Sequence, residues 1–230
     1  MPRLTAVATQ TLDRVVEYFA LDPRGLYPPH YRRMPVEIAN KGRGDLALLF
    51  KDLGLTTGVE VGVEEGHYSE ILCRRNPGVH LYCVDPWQAY AGYREHIDQV
   101  KLDGFHDAVV ERMRPFGATI VRKFSVEAAK DFSDGSLDFV YIDAAHDFFS
   151  VVDDLRAWLP KVRSGGCISG HDYARRTDQH GTQRYTVHVS EVIDAYTAAT
   201  HQRPWFILGR KAVLDGETRD RPRSWFWVVS

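Results

Sequence analysis

Nowhere in its 230 residues does this chain carry the roughly 18–20 consecutive apolar residues that a membrane-crossing helix requires. It has no excess of either charge sign. Lys and Arg number 29 against 31 Asp and Glu, a formal net charge of −2. With a pI near 6.5, bulk electrostatics offer no attraction to nucleic acid or an anionic membrane. Cysteine is scarce: Cys73, Cys83 and Cys167 cannot pair completely, and each falls in an apolar segment. They read as reduced, buried small side chains and not as ligands or nucleophiles. No internal repeat, low-complexity tract or long linker interrupts the chain. The first residues, MPRLTAVATQTLDRVV, show neither the apolar core nor the cleavage site of a secretory leader, so a cytoplasmic location is expected. Neither a nucleic-acid nor a membrane partner is expected; homo-oligomerisation is left open.

What is present is an ordinary globular composition, 44% hydrophobic and 26% charged, long enough for one large α/β domain with a full core. Thr11 to Ala20 has the spacing of a short helix, and Leu21–Pro35 carries four prolines that disfavour regular structure. These make residues 1–40 a helix-and-loop segment expected to contribute to a lid, with a single domain over 41–230. Within it a helix is expected over Gly44–Leu53, a strand over Thr57–Val61, a helix around Tyr68–Cys73, and a strand over His80–Val84. A helix over Phe105–Met113, a strand over Ala118–Val121 and a short helix over Ser125–Phe132, capped by Ser125, follow. ARRTDQHGTQRY reads as a basic polar loop and Val187–Thr200 as a helix. Short β-rich runs, Pro204–Leu208, Lys211–Leu214 and Ser224–Val229, close the chain around a hairpin. Alternating strands and helices ending in a hairpin define an α/β class with an antiparallel edge.

One stretch organises the rest. Leu137–Tyr173 reads as a strand buried on both faces, then a helix through Phe148, Val151, Val152, Leu155, Trp158, Leu159 and Val162. Ser164, Gly165 and Gly166 are expected to stop that helix, and Cys167 and Ile168 to begin a second buried strand. Such a unit packs as a right-handed crossover between parallel strands, so both strands end on the same sheet edge. Asp143 closes one and Asp172 the other, with His146 and His171 beside them. Ligands bind at that carboxyl edge.

A second constellation lies at the turn Glu60-Val-Gly62-Val-Glu64-Glu-Gly66. Gly62 permits close approach to the backbone, and Gly66 a tight entry into the next helix. Asp85 follows Gly62 by 23 residues at the end of the next strand, the place from which a carboxylate accepts hydrogen bonds from ribose hydroxyls. The alternative is a plain tight turn and a surface acid. Glu64 and Glu65 would repel a pyrophosphate, which disfavours a nicotinamide dinucleotide. A phosphate-free cofactor bearing positive charge, S-adenosyl-L-methionine, suits this turn better.

EVGVEEGHYSEIL, VDPW and YIDAAHDFFSVVDDLRAWLPKVRSGGCISGHDY resemble class I S-adenosylmethionine-dependent methyltransferases, and most of all the branch of macrolide-sugar O-methyltransferases. The resemblance spans about Gly58–Tyr173. It implies a Rossmann-like fold with a mostly parallel seven-stranded sheet, a C-terminal antiparallel hairpin and helices on both faces. It further implies that Glu60 and Gly62 hold the methionine part of the cofactor and that Asp85 binds its ribose. Ser125 would lie near the adenine, and Trp87 would cover that ring. Metal-dependent members bind magnesium at the two strand ends, here Asp143 and Asp172, with His146 as general base. Relatives commonly have an acid where this chain has His171, and His171 joins the expected metal set in its place.

Methyl transfer to oxygen needs a hydroxyl aligned behind the sulfonium methyl and a way to remove its proton, which a divalent cation and a nearby base provide. The acceptor is expected to be a small hydroxylated molecule. It would be held by aromatic residues of Leu21–Pro35, Trp87–Gly104 and Tyr173–Tyr185, namely Tyr27, His30, Tyr31, Trp87, Tyr90, Tyr93, His180 and Tyr185. Blander roles stay open: Asp143 as a helix cap, His146 and His171 as structural hydrogen-bonders. So do a metal-independent methyltransferase with a histidine base and a non-catalytic nucleoside-binding domain.

Overall fold

The structure, a computed structural model, describes residues 4–89, 97–180, 183–212, 214–217 and 219–230, with the side chains of 178–185 also outside the description. Along the chain run α1 (Ala6–Tyr18), β1 (Val36–Ile38), α2 (Arg43–Asp52), β2 (Thr57–Val61), α3 (His67–Arg75) and β3 (His80–Val84). Then come α4 (Gln99–Met113), β4 (Thr119–Val121), α5 (Ser125–Ala128), β5 (Leu137–Ile142), α6 (Phe148–Trp158) and β6 (Val162–Tyr173). The hairpin β7 (Arg176–His180) and β8 (Gln183–Val187), helix α7 (Val189–Ala199), β9 (Phe206–Leu208) and β10 (Arg223–Val228) complete it.

Eight strands form the main sheet in the order β1-β9-β10-β6-β5-β2-β3-β4. From β6 to β4 all are parallel. β10 runs antiparallel between β6 and β9. β5 shows how the sequence drives this: Phe139 and Tyr141 enter the core on one face, Val140 and Ile142 on the other. Four successive apolar residues buried alternately on the two faces fit only a sheet covered on both sides. All three cysteines are buried and unpaired. None of the described helices is long and apolar enough to cross a membrane.

Several expectations need correction. The sheet has eight strands, not seven, because Val36–Ile38, just beyond the proline-rich stretch, pairs parallel with β9 at the edge. Three residues are too short to show a period. α1 begins at Ala6, not Thr11, because Thr5 caps it by accepting from the Ala8 N–H at 3.1 Å. Ala8, Leu12 and Val15 of α1 are buried in the core, so this helix is built into the domain. α4 begins at Gln99, where Asp98 caps it. Ser125 is the first helical residue of α5, whose cap position is Phe124. β6 begins at Val162, ahead of Ser164–Gly166, and absorbs them with a register shift opposite Leu137 and Phe139. The polar stretch after Tyr173 is a hairpin, not a loop. It pairs with no strand of the main sheet and so carries no apolar alternation to read. No strand forms over the described part of Lys211–Leu214.

The topology fixes the site. From β2 the chain steps outward to β3 and β4, then returns to lay β5 on the other side of β2. The carboxyl ends of β2 and β5 are therefore the switch point where a crevice opens.

Candidate active site

Asp143 and Asp172 do meet at this edge. Asp143 directly follows β5, and its N–H donates to Val61 O at 2.7 Å, continuing the ladder one residue past the strands. The helix-cap role falls to Asp147, which accepts from the N–H groups of Phe149 and Ser150. Asp143 is thus left for the site. Asp172 is the second-to-last residue of β6, with φ +51°, a conformation rare outside glycine and often found at functional sites.

Two imidazoles flank these carboxylates. His146 Nε2 lies 3.0 Å from Asp172 Oδ2 and 3.5 Å from Asp143 Oδ1. His171 Nδ1 lies 3.2 Å from Asp172 Oδ2 and 3.7 Å from Asp143 Oδ2. Burial pushes the Asp172 carboxyl up, but hydrogen bonds from His146 and His171 outweigh it and hold the group well below the usual carboxylate range. Asp143, His146 and Asp172 present ligand atoms all within 4.8 Å of one another, the spacing of a metal site. That geometry brings His146, expected as the base, into the donor cluster with the two acids, while His171, expected in the metal set, faces the same carboxylates through Nδ1 from outside the trio. Two carboxylates and an imidazole fit a divalent cation, and the nitrogen donor favours a first-row transition ion over magnesium, which prefers oxygen.

The glycine turn expected to receive the cofactor stands beside it. Gly62 has φ +88°, and a Cβ there would lie 2.2 Å from Asp143 O. Only glycine lets the two strand ends approach this closely. Gly66, at φ +76°, opens α3. Glu60 is buried and accepts a short hydrogen bond from Ser69; burial raises its pKa to about 8, the Ser69 bond offsetting part of the rise. Asp85 accepts from the N–H groups of Val63 and Glu64, each at 3.0 Å, and of Trp87 at 2.8 Å. It therefore staples the glycine turn to the end of β3. Burial nevertheless raises its pKa, despite those bonds.

A cavity of about 870 Å³ joins both halves, lined by Glu60, Gly62, Asp85, Ser125, Asp143, His146, His171 and Asp172 among others. Trp87 is not among its lining residues. Its side chain is fully buried, edge-on to His106, and its indole N–H donates to Glu64 O at 2.8 Å. It supports the glycine turn from behind and offers no face to the cavity; Gln88, next in the chain, lines it. Ser125 does line it, but its hydroxyl donates to the buried Asp154 carboxylate and accepts from Trp158 Nε1 at 2.9 Å. Burial raises the Asp154 pKa to about 7.

Of the expected aromatic pocket, Tyr27, His30 and Tyr31 do not line the cavity, and the Tyr27 hydroxyl donates to Asp13. Tyr90 and Tyr93, and the side chains of His180 and Tyr185, lie outside the described residues. Arg43, Leu102, Thr186 and His188 line the cavity and went unnoticed in the sequence. Each is brought in by an element whose local pattern carries no chemistry. Buried Nε2 of His171 and Nδ1 of His188 have no hydrogen-bond partner among the described residues.

A family profile described as a methyltransferase domain matches residues 59–173. That match covers half of the chain, and the chain belongs to the methyltransferase-domain family. Its sheet order, with the crevice at the strand ends, is that of the Rossmann-like fold of class I methyltransferases. Among solved structures it resembles the O-methyltransferase TomG of Streptomyces achromogenes, involved in tomaymycin synthesis and determined with S-adenosylmethionine. Identity is 13%, with 99% of this chain and 92% of that one covered at a TM-score of 0.53. The O-methyltransferase of Bacillus cereus, in complex with S-adenosylhomocysteine, aligns at 14% identity over 95% of this chain and 90% of that one, TM-score 0.51. At these identities the likeness shows the fold. The uncharacterized protein y4gI of Sinorhizobium fredii is 25% identical over 139 residues, 58% of this chain. The chain spans about 15% of that relative's length.

Proposed function

We propose that this protein transfers the methyl group of S-adenosyl-L-methionine to a hydroxyl oxygen of a small molecule of sugar or natural-product type, assisted by a divalent cation. The observation that carries this is the convergence of Asp143, His146 and Asp172 on the carboxyl edge, directly beside the Gly62 turn. The O-methyltransferase assignment of both structural relatives supports oxygen as the acceptor atom. TomG's part in tomaymycin synthesis is in keeping with a natural-product acceptor.

A bound divalent cation lowers the pKa of a coordinated hydroxyl and fixes its direction. Asp143 and Asp172 would hold it from adjacent strands, with His146 Nε2 as third donor. Glu60 and Gly62 would receive the methionine part of the cofactor, and Asp85, with coordination capacity left on its carboxylate, the ribose. The unpartnered nitrogens of His171 and His188 suit further hydroxyls of the acceptor, as a sugar or diol carries. A lid from residues 1–40 belongs to the same proposal, the stretch between α1 and β1 being the part that would close. The alternative with a specific observation behind it is metal-free catalysis by the His146–Asp172 pair, whose 3.0 Å contact orients the imidazole as in a general base.

The test is transfer from methyl-labelled S-adenosylmethionine to a panel of monosaccharides and catechols, with manganese, with magnesium and with excess chelator. The proposal expects methylation that chelator abolishes. Full activity in chelator would leave methyl transfer standing and hand the proton to the His146–Asp172 pair. No transfer to any hydroxyl, with S-adenosylhomocysteine bound, would remove oxygen as the acceptor.

A further inference from the structure

Among the described residues the cavity is lined by seven acidic side chains and by a single Lys or Arg, Arg43. A cofactor whose tail ends in both an ammonium and a carboxylate finds ready partners here for the first and only one permanent cation for the second. Arg43 is fixed in place before any ligand arrives. It is the first residue of α2, its N–H donates to the Asp220 carboxylate, and its carbonyl accepts from the Tyr68 hydroxyl at 3.0 Å. Its guanidinium lies over the Tyr68 ring, 5.2 Å from the centroid, and Tyr68 packs on Tyr141. The ion pair with Asp143 is 3.6 Å long, beyond hydrogen-bond distance, so the guanidinium fork keeps donors for a ligand.

The topology says which part of the ligand comes here. Asp85 ends β3, and Ser125 follows β4 on its outer side. A cofactor with its ribose at Asp85 and its adenine toward Ser125 must run its tail the other way, over β2 toward β5. Gly62 and Asp143 meet at that end, and Arg43 stands against Asp143.

We infer that Arg43 is the carboxylate anchor of the cofactor's amino-acid tail, so that this enzyme discriminates for the intact amino acid by one pre-set guanidinium. The inference rests on the S-adenosylmethionine dependence of the fold and is independent of the acceptor and the metal. The bland alternative, that Arg43 only neutralises Asp143, predicts a different pattern of affinities.

Calorimetric titration of the full chain separates them, using S-adenosylhomocysteine and 5′-methylthioadenosine, which keeps the adenosine and thioether and lacks the tail. Arg43→Met should weaken S-adenosylhomocysteine about ten-fold or more and leave methylthioadenosine within about two-fold. Arg43→Lys should fall between the wild type and Arg43→Met. Equal weakening of both ligands, or of neither, overturns the assignment. Should Arg43→Met not fold, the wild type decides the matter with the decarboxylated analogue of S-adenosylhomocysteine. Binding about ten-fold or more weaker than the parent upholds the anchor, and equal binding overturns it. A wild type that binds methylthioadenosine and S-adenosylhomocysteine alike also overturns it. A wild type that binds neither removes the cofactor assignment beneath it.

Discussion

Gly62 and Asp143 lie so close that a Cβ on Gly62 would stand 2.2 Å from the Asp143 carbonyl oxygen and 2.6 Å from the Ala144 Cα. The contact joins the glycine turn after β2 to the acidic strand end after β5, and the Asp143 N–H donates to Val61 O across the same junction. The two halves of the candidate site therefore share one backbone seam.

Gly62→Ala should break that seam. The left-handed backbone and the clash with fixed main-chain atoms together cost about 2–4 kcal/mol. For a domain of this size that lowers the melting temperature by about 4–16 °C. Scanning calorimetry measures it; an unchanged melting temperature would show that the seam yields without cost.

The proposed metal site at Asp143, His146 and Asp172 makes a prediction that separates the two histidines. Asp143→Asn, Asp172→Asn and His146→Ala should each weaken manganese binding about ten-fold or more, followed by titration calorimetry or by the electron paramagnetic resonance of the free ion. His171→Ala removes only a hydrogen bond to Asp172 and should cost less than any of the three. Equal losses in His146→Ala and His171→Ala would restore His171 as a ligand.

Glu60 gives a pH dependence with a definite sign. Its pKa rises from an ordinary value of 4.5 to about 8, through burial first. Between those values the native state holds a proton that the unfolded chain has released, so stability falls as pH rises from about 4.5 to about 8 and is level beyond. Glu60→Gln removes the ionisation. The melting temperature of the variant relative to wild type should therefore climb between pH 5 and pH 8. A constant difference across that range would mean that Glu60 is charged throughout.

Asp85 ties down three backbone N–H groups as well as facing the cavity. Asp85→Ala should weaken S-adenosylhomocysteine about ten-fold or more by releasing the turn along with the ribose contact. Asp85→Asn should recover little of this, because its amide NH₂ would oppose backbone donors. Calorimetric affinities for the two variants check both statements, and full recovery in Asp85→Asn would limit the role of Asp85 to one accepting oxygen.

The inner strands were legible because each is covered on both faces: Thr57–Val61, His80–Val84 and Leu137–Ile142 appear where their apolar runs lie. The acids were legible because a buried parallel strand that ends in Asp places that Asp on the carboxyl edge. β1 and the β7–β8 hairpin were not, being too short or too solvated for a period to show. Trp87 shows a different limit. An aromatic residue after a strand-end acid has two ways to point, and the choice belongs to His106 and to the Glu64 carbonyl, neither adjacent in the chain.

The sequence by itself determined the α/β class, the switch-point glycine turn, and which acids reach the carboxyl edge, since these follow from local periodicity and from the handedness of strand crossovers. The tertiary structure alone decided that His146 sits between Asp143 and Asp172, that Trp87 turns inward, and that Arg43 of a distant helix enters an otherwise acidic cavity. Those are meetings of side chains from separate elements, set by packing angles and rotamers that no spacing along the chain encodes.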